Sequence, residues 1–406
     1  MNILYVTTRF TALSHTFITR EVAQLRAAGH RVELLSLNRE GAEAEASSPE
    51  CDLSGMRSLH PLGAGALLRG AVGALVRRPD RLLSAVQVIV TARNLGPRAR
   101  LRLLYQLLAA STQTGWIEAA GVEHIHAHFA NPAANYAMFL HLLTGVPYSF
   151  TGHAADLYRD RDALDIKLRH AAGAVAISDY NLRHYRRIEP RLQRAEIIHC
   201  GIDPDAFPFR ERGGVDGAVR VLAVGRCTVK KGFRHLLDAL AVLERRGVAY
   251  EAHLVGYGEL LPALQQQAAD LGLRSLTFTG ALQQDAIAEL LDRADIFALP
   301  CVEAPDGDID GIPVALMEAM ACGCPVITTA ISGIPELVED GVTGATCPPG
   351  DHEALATAIA AIAADPDRQR RYSRAGRRRV EEEFNVVDSG RQLERFFQSL
   401  RDDRSR

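Results

Sequence analysis

Apolar residues along this chain fall in short runs, separated by longer stretches with helical periodicity. Runs at 3–7, 31–37, 124–128, 148–151, 174–178 and 197–200 read as strands. Stretches such as 14–28, 132–143 and 179–188 read as the helices between them. Strands that alternate with helices predict parallel sheet and crossover connections. Residues 204–217 break the rhythm with two prolines, three glycines and five charged residues, and read as a linker. The alternation then restarts, with strands at 220–224, 251–255, 276–279, 296–299 and 326–329. Helical patterns at 233–246, 259–271, 285–293 and 313–321 sit among them. The expectation is an α/β protein of two successive domains, 1–205 and 206–384.

Length agrees, because 406 residues at roughly 100–200 per domain allow two or three domains. A composition 47% hydrophobic and 23% charged is that of a globular chain. A net charge of -3 removes any global attraction to nucleic acid, so no nucleic-acid partner is expected. Seven cysteines at irregular spacing argue against a disulfide framework and for a reducing compartment. The first strand-like run follows Met1-Asn2 directly and is too short for a signal segment. The most apolar stretches, such as 82–92, are about half the ~20 residues that span a bilayer. The expected location is cytoplasmic, peripheral on the inner membrane face at most.

One segment changes that picture. Residues 57–115 are rich in Leu, Ala and Arg, with nine arginines against one acidic residue, Asp80. They read as a helical region whose basic surface could meet an anionic membrane or a lipid-linked substrate, or simply be solvated.

In doubly wound sheets, ligands bind at the carboxyl ends of strands, so chemistry is sought in the loops that follow them. The first such loop, Thr8 to Ser14, lacks the G-x-G-x-x-G spacing that a dinucleotide needs. Arg9 and His15 are candidates to face a ligand there. His124, His126 and His128 alternate along one strand face. Successive ligands on such a face lie about 7 Å apart, too far for all three to share an ion at ~2 Å. No metal is expected there, and His128 is the residue nearest the carboxyl end. His153 and Asp156 follow the strand at 148–151, where a histidine can position a hydroxyl or move a proton.

In the second half, Gly225 ends a strand and Arg226, Lys230 and Lys231 bring positive charge beside a helix start. Diphosphate suits such a site, although the spacing is not that of a P-loop. The densest constellation is Asp306-Gly307-Asp308-Ile309-Asp310-Gly311-Ile312-Pro313. Pro313 suits a first helical turn, and the amides of Gly311 and Ile312 would then point from the helix start. Three aspartates permit a metal, but nothing in their spacing fixes a geometry. Glu318 lies inside an otherwise apolar helix, where a carboxylate needs hydrogen-bond donors such as vicinal sugar hydroxyls. Cys322 and Cys324 form a lone C-x-C, which is weak for zinc.

Three of these features resemble the retaining, nucleotide-sugar-dependent enzymes of glycosyltransferase family 4. Gly225-Arg226 followed by Lys231-Gly232 is similar to the family's G-R-x-x-x-x-K-G loop. Asp310-x₇-Glu318, running into Glu318-Ala319-Met320-Ala321-Cys322-Gly323-Cys324-Pro325-Val326-Ile327, is similar to its E-x₇-E and E-A-M-A-x-G-x-P-V-I signature. Cys200-Gly201-Ile202-Asp203 is similar to the turn that closes its first domain. Ser14-His15-Thr16-Phe17-Ile18, His126-Ala127-His128-Phe129 and Thr151-Gly152-His153-Ala154-Ala155-Asp156 resemble the exopolysaccharide and colanic-acid branch.

The resemblance implies the GT-B fold, two facing Rossmann-like domains with a cleft between them. It also implies a C-terminal helix, about 385–406, that packs back on the first domain. Arg226 and Lys231, with Gly225, would bind the donor diphosphate. Glu318 would bind the ribose. Asp310 stands where the family has a glutamate that touches the transferred sugar, aided by the amides of Gly311 and Ile312. His153 would act near the donor sugar and the acceptor hydroxyl. Arg9, His15, His128 and Asp156 remain candidates for the acceptor side. The implied activity is retaining transfer of a hexose-type sugar from a UDP- or GDP-sugar to a saccharide acceptor, lipid-linked, with no cofactor and no metal. A sugar-nucleotide epimerase and a degenerate nucleotide-sugar-binding protein are the rival readings. Two departures stand out: aspartate at 310 where the family has glutamate, and a first loop without the family's paired glycines.

Overall fold

The computed structural model describes residues 1–10, 16–39, 51–92, 95–160, 162–192 and 194–402. The chain forms two compact units: Met1–His199 together with Val386–Arg406, and Cys200–Asn385.

The first unit is built on seven strands: β1 Asn2–Thr7, β2 Arg31–Ser36, β3 Arg57–Ser58, β4 His124–His128, β5 Tyr148–Gly152, β6 Gly173–Ala176 and β7 Ala195–Ile197. They pair in parallel in the order β3-β2-β1-β4-β5-β6-β7. The order reverses between β1 and β4, where Tyr5 lies opposite His126. Both faces are covered, so the central strands are buried along their length and read as unbroken apolar runs. His124, His126, His128, Ser149 and Thr151 are buried polar exceptions on the adjacent strands β4 and β5.

The end of the chain completes this unit. The helix Val386–Asp402 lies against the helix Thr16–Ala27. Its Leu393, Phe396, Phe397 and Leu400 join Ile3, Tyr5, Ile18, Val22 and Leu25 in one core. Gly390 permits the close approach, since a Cβ there would stand 2.9 Å from Cβ of Gln24.

The second unit has six strands: β8 Val219–Val224, β9 Tyr250–Val255, β10 Leu276–Gly280, β11 Ile296–Ala298, β12 Val326–Thr329 and β13 Ala345–Cys347. They are parallel in the order β10-β9-β8-β11-β12-β13, reversing between β8 and β11. The segment read as a linker is part of this unit. The Arg212 side chain is buried and donates to the carbonyls of Leu291, Asp292, Ala294 and Cys322 at 2.7–3.2 Å. Those bonds hold the apolar-poor segment in place where hydrophobic periodicity cannot.

Residues 57–115 are mostly helical, as Ala64–Arg77, Pro79–Thr91 and Pro97–Ser111. Among the described residues no helix is long and apolar enough to cross a membrane.

Candidate active site

Each sheet reverses its order at one point, and in each unit the described candidate residues follow the carboxyl ends of strands at or next to it.

In the second unit these loops follow β8 and β11. Gly225 leaves β8 with Lys231 packed on it: a Cβ at 225 would meet Cδ and Cε of Lys231 at 3.3 Å. Gly232 has φ +66°, and a Cβ there would lie 1.8 Å from the Pro300 carbonyl oxygen, so only glycine fits. This close approach ties the lysine loop to the loop after β11. Lys231 Nζ stands 2.7 Å from Oδ2 of Asp310, and Lys230 Nζ stands 3.1 Å from Asp308 and 3.3 Å from Asp310. Burial alone would raise the Asp310 carboxyl, but Lys231 and Lys230 overcome it and hold the group below the usual carboxylate range. Burial likewise works against the Lys231 ammonium, and Asp310 reverses the balance upward. Two ammonium groups and two carboxylates thus neutralise one another in a partly desolvated site.

Gly311 and Ile312 follow on the same loop and are buried. Among the described residues neither amide has a hydrogen-bond acceptor, which leaves two N–H donors suited to an anion or hydroxyl. Arg226 is exposed on the lysine loop. Glu318 lies on the helix Val314–Ala321. It is half-buried, while Met317 and Ala319 beside it are buried completely. Val314, Ala315 and Glu318 share the one stripe of that helix not enclosed by core, as helical spacing requires.

In the first unit the loops follow β1, β4 and β5. His153 is buried, with its ring 4.7 Å from Phe17 and 4.6 Å from Phe129. Phe129 holds a left-handed backbone, φ +73°, an unusual conformation for a bulky residue and one that clusters at functional sites. Asp156 has a supporting part. Its carboxylate accepts the amides of Ala130 at 2.7 Å, Ala154 at 2.7 Å and His153 at 3.1 Å. Burial pushes this carboxyl up and those amides pull it back. It therefore joins the loops after β4 and β5 and sets the backbone from which His153 projects. Arg9 is exposed at the end of β1, and His15 lies outside the described residues.

The histidine strand meets a carboxylate from another element, which periodicity along one strand does not show. Glu21, on the helix Thr16–Ala27, accepts from the Tyr5 hydroxyl at 2.6 Å and lies 2.9 Å from Nε2 of His128. Glu21, His126 and His128 place a carboxylate oxygen and two imidazole nitrogens within 4.8 Å of one another, a set that could hold a divalent cation. The hydrogen bonds already account for these atoms: His126 meets Ser149 at 2.8 Å and Thr151 at 3.0 Å, and His128 meets His153 at 3.2 Å. The available signal was Glu21 itself, a carboxylate on the apolar helix face that carries Phe17, Ile18, Val22 and Leu25.

Residues 15–206 match the family described as Glycosyltransferase Family 4, and residues 208–379 match Glycosyl transferases group 1. The amylovoran biosynthesis glycosyltransferase AmsK of Erwinia amylovora is 34% identical over 290 residues, 70% of this chain and 71% of AmsK. WcaL of Salmonella typhimurium, named for colanic acid biosynthesis, is 34% identical over 210 residues, about half of each chain. The crystal structure of Anabaena Alr3699/HepE in complex with UDP superposes with a TM-score of 0.71, covering 98% of this chain and 100% of that one. At 19% identity that likeness shows a shared fold, the GT-B arrangement of two parallel-sheet Rossmann-like domains. With both halves matched and AmsK aligned over most of its length, the chain belongs to the family 4 glycosyltransferases.

Proposed function

We propose that this protein is a retaining glycosyltransferase that moves a hexose-type sugar from a UDP- or GDP-sugar to a lipid-linked saccharide, in the assembly of an exopolysaccharide. The observation that carries this reading is the Lys230–Lys231 loop set against Asp310 and the unaccepted amides of Gly311 and Ile312. The relatives named for amylovoran and colanic acid biosynthesis support the product class.

In this reading the donor diphosphate meets Lys231 and Arg226, and the ribose hydroxyls donate to Glu318. As the glycosidic bond breaks, negative charge grows on the leaving diphosphate, and fixed cations in a partly desolvated loop stabilise it. Asp310, with the two amides, orients the transferred sugar. The acceptor hydroxyl attacks from the face the diphosphate leaves, and a phosphate oxygen of the leaving group takes its proton. His153 positions the sugar and the attacking hydroxyl. No metal is required for charge neutralisation in this scheme.

The acceptor's lipid also gives the helices between 64 and 111 a partner. Leu68, Val76 and Leu101 are 66%, 76% and 69% exposed, beside exposed Arg69, Arg77, Arg98 and Arg102. Apolar side chains interleaved with arginine suit an anionic bilayer surface.

The test is a panel of nucleotide sugars read by thermal shift, because a donor stabilises only the folded state. Turnover with and without saccharide acceptor follows, with and without a chelator. Release of nucleotide with a new glycosidic bond supports the proposal. A C2 epimer formed from donor alone would make the protein an isomerase, and binding without any turnover would make it a sugar-nucleotide-binding protein. Loss of turnover on chelation would overturn the metal-free scheme. Co-sedimentation with phosphatidylglycerol vesicles, lost in a Leu68→Ser/Val76→Ser variant, tests the membrane surface.

A further inference from the structure

We propose that Glu21, acting through His128, is a positioning residue that fixes which ring nitrogen of His153 carries the proton. The proposal rests on the reading above that His153 serves the transfer.

One chain of contacts links Tyr5, Glu21, His128 and His153 inside the first unit. Tyr5 is buried, and burial, reinforced by Glu21, raises its phenol well above the ordinary value. It stays protonated and donates to Oε1 of Glu21 at 2.6 Å. The same carboxylate oxygen faces Nε2 of His128 at 2.9 Å. An oxygen that already accepts from Tyr5 faces His128 as an acceptor too, so Nε2 of His128 carries the proton. In a neutral imidazole the other nitrogen is then a lone pair. That lone pair, Nδ1 of His128, stands 3.2 Å from Nε2 of His153. Nε2 of His153 must therefore donate, and its Nδ1 is the proton-free nitrogen.

The surroundings hold this order in place. Among the described residues the titratable groups around the pair include Tyr5, Glu21, His124, His126, the two histidines themselves and Asp156, whose carboxylate accepts the His153 amide. Burial, and the neighbouring histidines after it, lower the His126 pKa well below the ordinary value, so that ring adds no charge. Its nitrogens meet the hydroxyls of Ser149 and Thr151, which can donate or accept as required. Phe17 and Phe129 pack on the His153 ring, and the His128 and His153 rings stack at 5.5 Å and 29°. The ring of His153 cannot turn over without breaking these contacts. A carboxylate that orients one imidazole is a common device, and losing it leaves the wrong tautomer populated. Here the carboxylate acts one imidazole further away.

The test is nitrogen NMR of the full-length protein labelled at histidine, with His153→Asn used to assign the His153 signals. In the unaltered protein the proton should sit on Nε2 of His153. In Glu21→Gln the two His153 nitrogens should move toward averaged positions. kcat should fall about 10–100-fold, while KM for the donor stays within about twofold. Tyr5→Phe, which keeps the carboxylate, should keep the tautomer. His128→Asn should abolish the selection with Glu21 intact, and serves if Glu21→Gln does not fold. Unchanged His153 signals in Glu21→Gln or His128→Asn would overturn the proposal. An altered tautomer combined with full activity of His153→Asn would support it while removing His153 from the transfer.

Discussion

Asp310 and Lys231 meet at 2.7 Å, so the residue proposed to touch the transferred sugar also neutralises the residue proposed to hold the diphosphate. The same carboxylate reaches Lys230 at 3.3 Å. In the proposed reading an incoming diphosphate competes with Asp310 for both ammonium groups. Asp310→Asn should therefore leave UDP or GDP affinity unchanged or tighter in calorimetry. It should lower turnover by about tenfold or more, because the sugar loses a charged partner. An equal fall in affinity and rate would mean that Asp310 builds the lysine loop rather than orienting sugar. The pair spans a wide pH range. Asp310 is held below the usual value, so its contribution is present above about pH 4 and is lost as pH falls through its lowered pKa. Lys231 is raised, so its contribution holds below about pH 10 and is lost above.

Glu318 is half-buried on the unenclosed stripe of its helix, where it can accept from vicinal hydroxyls. Hydrogen bonds to a charged group contribute about 1.5–3 kcal/mol each. Glu318→Ala should weaken nucleotide binding by about ten- to a hundredfold, with the fold retained. Calorimetry with UDP and GDP measures this directly, and unchanged affinity for both would remove Glu318 from the ribose site.

Lys167 in the first unit is fully buried, with Nζ donating to the carbonyls of Ala130 and Asp162. Burial pushes its amine down to about 7, against the pull of Asp156 and Asp162. In the unfolded chain the amine titrates near ~10.4. Between these values the unfolded chain holds a proton that the folded one lacks, so stability from this group rises with pH, by at most ~1.4 kcal/mol per unit. Denaturant curves at pH 7, 8 and 9 should show the difference between the natural protein and Lys167→Met growing with pH. Parallel curves would mean that Lys167 stays charged.

Gly232 and Gly247 both sit in the left-handed region, at φ +66° and +70°. Alanine at 247 meets nothing within 4 Å, whereas alanine at 232 would overlap the Pro300 carbonyl. Gly247→Ala should cost only the ~1–3 kcal/mol of backbone strain. Gly232→Ala should cost more, lower Tm further, and weaken nucleotide binding because Lys231 moves with the loop. Equal effects on Tm would show that the loop yields freely.

Much of the fold was legible because parallel strands covered on both faces are continuous apolar runs. The strand at 124–128 and the helical patterns at 233–246 and 313–321 all lie within a few residues of observed elements. Short edge strands were not, since β3 and β13 have two and three residues and bury little. On the site, periodicity could place Lys231, Asp310 and Glu318 on loops and a helix face, but not their pairing. That pairing depends on Gly232 passing Pro300, a contact about 70 residues apart in sequence. Glu21 was passed over because a carboxylate in an amphipathic helix usually faces water. Its neighbours Tyr5 and His128 come from two other elements.

The helix Val386–Asp402 has a consequence for how the chain is made. The core around Ile3, Tyr5 and Val22 includes Phe396, Phe397 and Leu400, so this part of the sheet waits for a helix made only after the whole of the second unit. The unit Cys200–Asn385 is contiguous and has all it needs earlier. Synthesis therefore favours an inverted order, in which the later half folds while the amino-terminal sheet still lacks a wall. Until that helix emerges, the sheet keeps apolar surface uncovered, the kind of transient exposure that invites aggregation.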